Sequence, residues 1–178
     1  MGIFLAKKVS TRLSIVLTRA HFDHAENAAG ISDTLGIPIG MAESDCNLIQ
    51  LNINQSLIAT NILGKIVLSA SLREFAVRSI PEFKPNVLLH NDDSLSGYGI
   101  SARIISLPGH TDGSIGIDVD SKHLIVGDAL MNMFYPTVSM LYHNRDNMLE
   151  SAGKISSIGD RTIYFGHGKP VTNKQWIK

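Results

Sequence analysis

His21-Phe22-Asp23-His24 places two imidazoles and a carboxylate within four residues, directly after the apolar run Leu13 to Leu17. Neutral nitrogen donors beside an anionic oxygen suit zinc or iron better than calcium or magnesium, whose ligands are oxygens. Three later stretches set a ligand-capable side chain in a glycine-bearing turn after a strand-like run: Leu107-Pro108-Gly109-His110-Thr111, Val126-Gly127-Asp128 and Tyr164-Phe165-Gly166-His167-Gly168. Glycine permits a sharp turn and a close approach of backbone to a ligand. In a layered α/β fold, loops at the ends of neighbouring strands converge on one crevice, so residues this far apart in sequence can meet.

The elements that must carry these turns follow from periodicity and breakers. Leu13 to Thr18 is aliphatic and β-branched without alternation, a strand covered on both faces. Ala25 to Leu35 has helical composition, Gly36-Ile37-Pro38 stops it, and Ile37 to Met41 is a second strand, so the histidine cluster lies in the loop of a βαβ unit. Ala42 to Gln50 is expected as a short helix, and Gln55 to about Arg78, free of proline, as a long one ended by Pro81 and Pro85. Strands are expected at Val87 to His90, Ser101 to Leu107, Ser114 to Val119 and His123 to Val126, with Asp120-Ser121-Lys122 as a hairpin turn. Arg145 to Ile158 is read as a helix, Thr162 to Phe165 as a strand and Val171 to Ile177 as a terminal helical turn, all in one domain spanning 1–178.

In order and context these motifs resemble the metallo-β-lactamase-fold superfamily of metal-dependent hydrolases, from about residue 13 to 170. The family pattern is His-x-His-x-Asp-His, a histidine in Pro-Gly-His-Thr, an aspartate after glycine and a histidine in Gly-His-Gly. One short histidine cluster is weak evidence, whereas four motifs in order with fitting strands are specific. The resemblance implies an α/β fold of αββα four-layer sandwich type, where the residues alone say only α/β. It implies that His21 and His110 bind a first metal, that Asp23, His24 and His167 bind a second, and that Asp128 bridges them. Asp23 and Asp128 are then the catalytic candidates, working on a water whose pKa a bound metal lowers toward about 7. The implied cofactor is zinc, one or two ions per chain, with iron or manganese accepted by the same donors.

The chain departs from the pattern at two places. Where the family has its first histidine stands Arg19, which stays protonated and has no lone pair to give. Turned inward it would repel a cation by about 4 kcal/mol at 4 Å and an effective dielectric of about 20, which predicts a mononuclear or unequally loaded site. Two settings are open: an inward cation that replaces metal charge and holds an anionic substrate, or a solvated side chain turned away. The second departure is the start, because the family's opening strands precede the cluster and here it begins at His21. The first sheet is therefore expected to lack its N-terminal strands, and its unpaired edge to drive a homodimer. The family's second-shell aspartate in that region is expected to be missing too.

Composition narrows the partners. Lys plus Arg and Asp plus Glu are equal at 16 each, so no basic field recruits nucleic acid or an anionic membrane. No apolar run reaches the roughly 20 residues of a membrane span. The start Met1 to Lys8 carries its charges after its apolar stretch, the reverse of a secretory signal, and Cys46 is the only cysteine, so a cytoplasmic location is expected. Asn54-Gln55-Ser56 fits a glycosylation triplet that such a location leaves idle. His90 and His123 read as surface residues, while His143, in the loop after Asp128, is a candidate for substrate contact beside Arg19. Met131, Met133, Phe134, Tyr135 and Met140 read either as core filling or as a pliable substrate wall. The function expected is metal-dependent hydrolysis of a small ester, thioester, lactone or lactam. The alternative is a catalytically degenerate member that only binds metal or ligand, and an iron redox member is a third.

Overall fold

The computed structural model describes residues 3–7, 13–53, 55–59 and 61–173, so Asn54 of the glycosylation triplet lies outside the described residues. Strand β1 (Ile3–Lys7) pairs antiparallel with β2 (Leu13–Leu17), which runs parallel to β3 (Ile39–Ala42), itself parallel to β4 (Val87–Leu89). The edges of this four-stranded sheet are therefore β1 and β4, and one strand, β1, flanks β2 on its N-terminal side. Between β2 and β3 lie α1 (Phe22–Ala25) and α2 (Ala28–Leu35), as the βαβ reading requires. Gly36 closes α2 in the left-handed conformation at φ 61°, which glycine reaches without steric cost.

The second sheet holds β5 (Ala102–Ser106), β6 (Ile115–Val119), β7 (His123–Gly127), β10 (Thr162–Phe165) and β11 (Val171–Thr172), in the order β11-β10-β7-β6-β5. A small hairpin of β8 (Leu130–Met131) and β9 (Thr137–Val138) lies beyond β7. Asp120 and Ser121 both have positive φ, the signature of the tight hairpin expected between β6 and β7. Alternation along β2 defines the layers. Ile15 and Leu17 pack with Ala25, Ala28 and Ile49 on one face, while Val16 packs with Ile104, Ile115 and Ile117 of the second sheet on the other. Ala152 and Ile155 of α5 (Arg145–Ser157) cover the far face of the second sheet against Leu124, Val126 and Ile163. The result is the αββα sandwich.

Three expectations are corrected. The segment expected to be helical from Gln55 is helical only over α4 (Ile62–Val77), because Asn61 accepts the Gly64 N–H at 2.6 Å and fixes the start there. The Ala42 to Gln50 helix divides into a 3-10 turn at Glu43–Asp45 and α3 (Cys46–Gln50). The terminal helical turn is strand β11 at its beginning, and residues 174–178 lie outside the described residues. None of the described helices is long and apolar enough to cross a membrane.

Candidate metal centre

Four loops meet at one end of the sandwich. The first leaves β2 and enters α1, which brings Asp23 and His24 side by side; the Thr18 carbonyl accepts from Ile115 N at 2.9 Å and joins this loop to the second sheet. The Gly109–His110 turn, the Gly127–Asp128 turn after β7 and the Gly166–His167 turn after β10 supply the rest. A Cβ on Gly166 would strike Asp128 Oδ1 and lie 3.0 Å from His24 Cε1, so the chain must be glycine where it crosses the cluster.

Asp23, His24, Asp128 and His167 each turn one donor atom into a common space, all within 4.8 Å of one another. His167 Nε2 is 3.1 Å from Asp23 Oδ2 and 3.4 Å from Asp128 Oδ2. His24 Nε2 is 3.5 Å from Asp23 Oδ2 and 3.7 Å from Asp128 Oδ1. His24 Nε2 and Asp128 Oδ1 are both buried, and neither has a hydrogen-bond partner among the described residues. Buried polar atoms are rarely left so, and a cation is the partner that satisfies a nitrogen and a carboxylate oxygen together. Thr18 Oγ1 lies 3.2 Å from His24 Nδ1, the arrangement that holds a ligating imidazole by its other nitrogen. The donor set therefore fits a metal ion.

Electrostatics agree. Burial, then the Arg19 guanidinium, hold His24, His21 and His110 well below the usual imidazole range, so all three are neutral and keep a lone pair. Burial alone would raise Asp23, but the His167 hydrogen bond and Arg19 outweigh it and hold the carboxyl far below its ordinary value. The same hydrogen bond, then Asp128, raises His167.

His21 and His110 stand apart from this group because Arg19 is turned inward, only 3% exposed. Its Nη1 contacts His21 Nδ1 at 2.5 Å and also His110 Nε2. Its Nη2 lies 2.8 Å from Asp128 Oδ2, and 3.0 and 3.2 Å from the two oxygens of Asp23. The solvated setting of Arg19 is thereby eliminated. His110 Nδ1 lies 2.7 Å from the Leu141 carbonyl, to which it donates, and this leaves Nε2 as the acceptor facing Arg19.

All the candidate ligands but His24 line a cleft of about 440 Å³ whose other wall is largely apolar, with Leu57, Ile66, Val67, Ala70, Met131 and Met133 facing the cluster. Met131 and Met133 thus belong to the wall, while Phe134 and Tyr135 are exposed and Met140 is buried elsewhere. His143 does not line the cleft: its Nδ1 is 3.0 Å from the Ser56 carbonyl, and its Nε2 points toward Asp112. His90 and His123 lie far from the cluster, against Asp93 and Tyr164.

Sequence reasoning missed Asp45. Fully buried, it accepts from Ala20 N at 2.9 Å, Thr111 Oγ1 at 2.8 Å and Gly113 N at 2.7 Å, and so clamps the loop of Arg19 and His21 to the loop of His110. It follows the strand expected from Ile37 to Met41 but stands in no glycine turn, so only the tertiary contacts reveal its part.

A family model described as the metallo-beta-lactamase superfamily matches residues 13–167. The chain is 24% identical over 168 residues to the probable metallo-hydrolase YqgX of Bacillus subtilis (strain 168), covering 93% of this chain and 72% of that protein. The BLEG-1 B3 metallo-beta-lactamase superposes with a TM-score of 0.68 at 26% identity, over 91% of this chain and 72% of that one. TTHA1623, solved in a di-iron-bound form, superposes with a TM-score of 0.69 at 17% identity, over 97% of this chain and 90% of that one, a likeness of fold. Fold, donor cluster and family match agree: the chain belongs to the metallo-beta-lactamase superfamily.

Proposed function

We propose that this chain is a metal-dependent hydrolase of a small ester, thioester, lactone or lactam, with zinc as the ion and Asp23, His24, Asp128 and His167 as its holders. The observation that carries this reading is the facing pair His24 Nε2 and Asp128 Oδ1, both buried and without a hydrogen-bond partner among the described residues, with Asp128 lining the apolar cleft. When bound, the ion supplies Lewis acidity, which lowers the pKa of water and polarises a substrate oxygen. The chain does the rest. Burial keeps His24 neutral, Thr18 holds its ring, and Asp23 stays ionised to orient the attacking water. The apolar wall favours an uncharged acyl group and keeps bulk water away, and the two methionines let it adapt.

A second reading, binding without turnover, draws on Arg19 inside the cluster. A zinc-loaded preparation screened against esters, thioesters, lactones and lactams separates the two. Turnover by wild type, abolished in Asp23→Ala, supports the hydrolase. Bound zinc with no turnover across the panel replaces it with the second reading. A single cytoplasmic domain acting as a homodimer completes the proposal. The dimer is supported by the exposed Ile62, Leu72 and Val77 of α4, and a monodisperse monomer in light scattering would overturn it.

A further inference from the structure

We infer that Arg19 is a built-in cation standing where a second metal ion would otherwise sit, so that this chain holds one ion, a proposal that rests on the metal-binding half of the reading above and not on hydrolysis. The guanidinium lies among two imidazoles and two carboxylates, the donor types that hold a transition metal. A guanidinium carries five N–H donors and no acceptor. Here the donors of Nη1 go to His21 and His110, and those of Nη2 to Asp23 and Asp128. The imidazole lone pairs of His21 and His110 that a second metal would need are thus already accepting hydrogen bonds from a group tethered to the chain.

Asp128 marks the border. Its Oδ2 is 2.8 Å from Arg19 Nη2, while its Oδ1, without a hydrogen-bond partner among the described residues, faces His24 Nε2 at 3.7 Å. One carboxylate therefore joins a covalently tethered cation to an exchangeable one. The tether also supplies charge when no ion is bound, because Asp23 and Asp128 keep a positive partner in the metal-free chain. The same contacts argue against Arg19 as an anchor for an anionic substrate, since the terminal donors are engaged by the protein.

The test uses the full chain, stripped with chelator and titrated with zinc alone, with bound metal counted by elemental analysis after gel filtration. Wild type is expected to retain one equivalent and Arg19→His two, a doubling. Two equivalents on wild type, or no gain in a folded Arg19→His variant, overturns the inference. If wild type retains none and Arg19→His gains one, Arg19 still displaces an ion, and it is the four-donor cluster of the proposed function that fails. Imidazole nitrogen NMR on wild type needs no variant. Zinc is expected to move the ring signals of His24 and His167 and leave those of His21 and His110 in place; movement of all four overturns the inference.

Discussion

The two sides of Asp128 are built from the same kinds of residue and are in opposite states. On the Oδ2 side, His21 and His110 meet the Arg19 guanidinium, and each facing nitrogen has a donor. On the other side, His24 Nε2 faces Oδ1 and meets no donor, and His167 reaches in from an exposed turn toward Oδ2 and Asp23. Ligand identity is thus a poor guide to where an ion sits; what decides is whether the lone pair is already committed. Both sides reach the cleft, which Arg19, His21 and His110 line beside Asp23, Asp128 and His167; they differ in whether the imidazole that faces Asp128 or Arg19 already has a donor.

The sharpest way to break this contrast is to remove the histidines one at a time. Outer partners of a ligand alter metal affinity by about 10–100-fold, so deleting a ligand itself should cost more than about 100-fold. His24→Ala and His167→Ala are expected to lose zinc by that measure in calorimetric titration. His21→Ala and His110→Ala are expected to keep their single equivalent. Their cost falls on the fold instead, because each strands a buried guanidinium N–H, worth about 1–3 kcal/mol in urea denaturation. Equal zinc loss across all four variants would erase the distinction between the two sides.

The sequence carried the uncommitted side well and the committed side badly, for physical reasons. His24, Asp128 and His167 were legible because each follows a strand-like run and two of them sit beside a glycine whose backbone must pass the cluster closely, as Gly166 does. Arg19 was not, since its inward and outward rotamers are equally compatible with the sequence, and the choice is made by His21, His110 and Asp128 arriving from three separate loops. The strands β2, β5, β6 and β7 were readable from their apolar runs, while the αββα layering followed from the family resemblance. The start of α4 was not, because composition is helical from Gln55 onward while a single side-chain acceptor, Asn61, fixes the first turn. The β8–β9 hairpin escaped too, its strands being two residues each.

Asp45 offers the finer test, because it acts on the committed side alone. Its three donors come from the Ala20 amide, the Thr111 hydroxyl and the Gly113 amide. Burial raises its carboxyl above the usual value while these hydrogen bonds work the other way, so the site is held by acceptor geometry as much as by charge. Asp45→Asn keeps the shape but replaces one acceptor oxygen by an NH₂ group, which then faces a donor. Leaving a buried donor unsatisfied costs about 1–3 kcal/mol. The expected result is a loss of that size in urea denaturation with one zinc equivalent retained, since Asp45 touches none of Asp23, His24, Asp128 and His167 in its recorded hydrogen bonds. Should zinc leave with the stability, the loops of Arg19 and His110 would have to support the uncommitted side as well, and the two sides of Asp128 would be one cooperative unit.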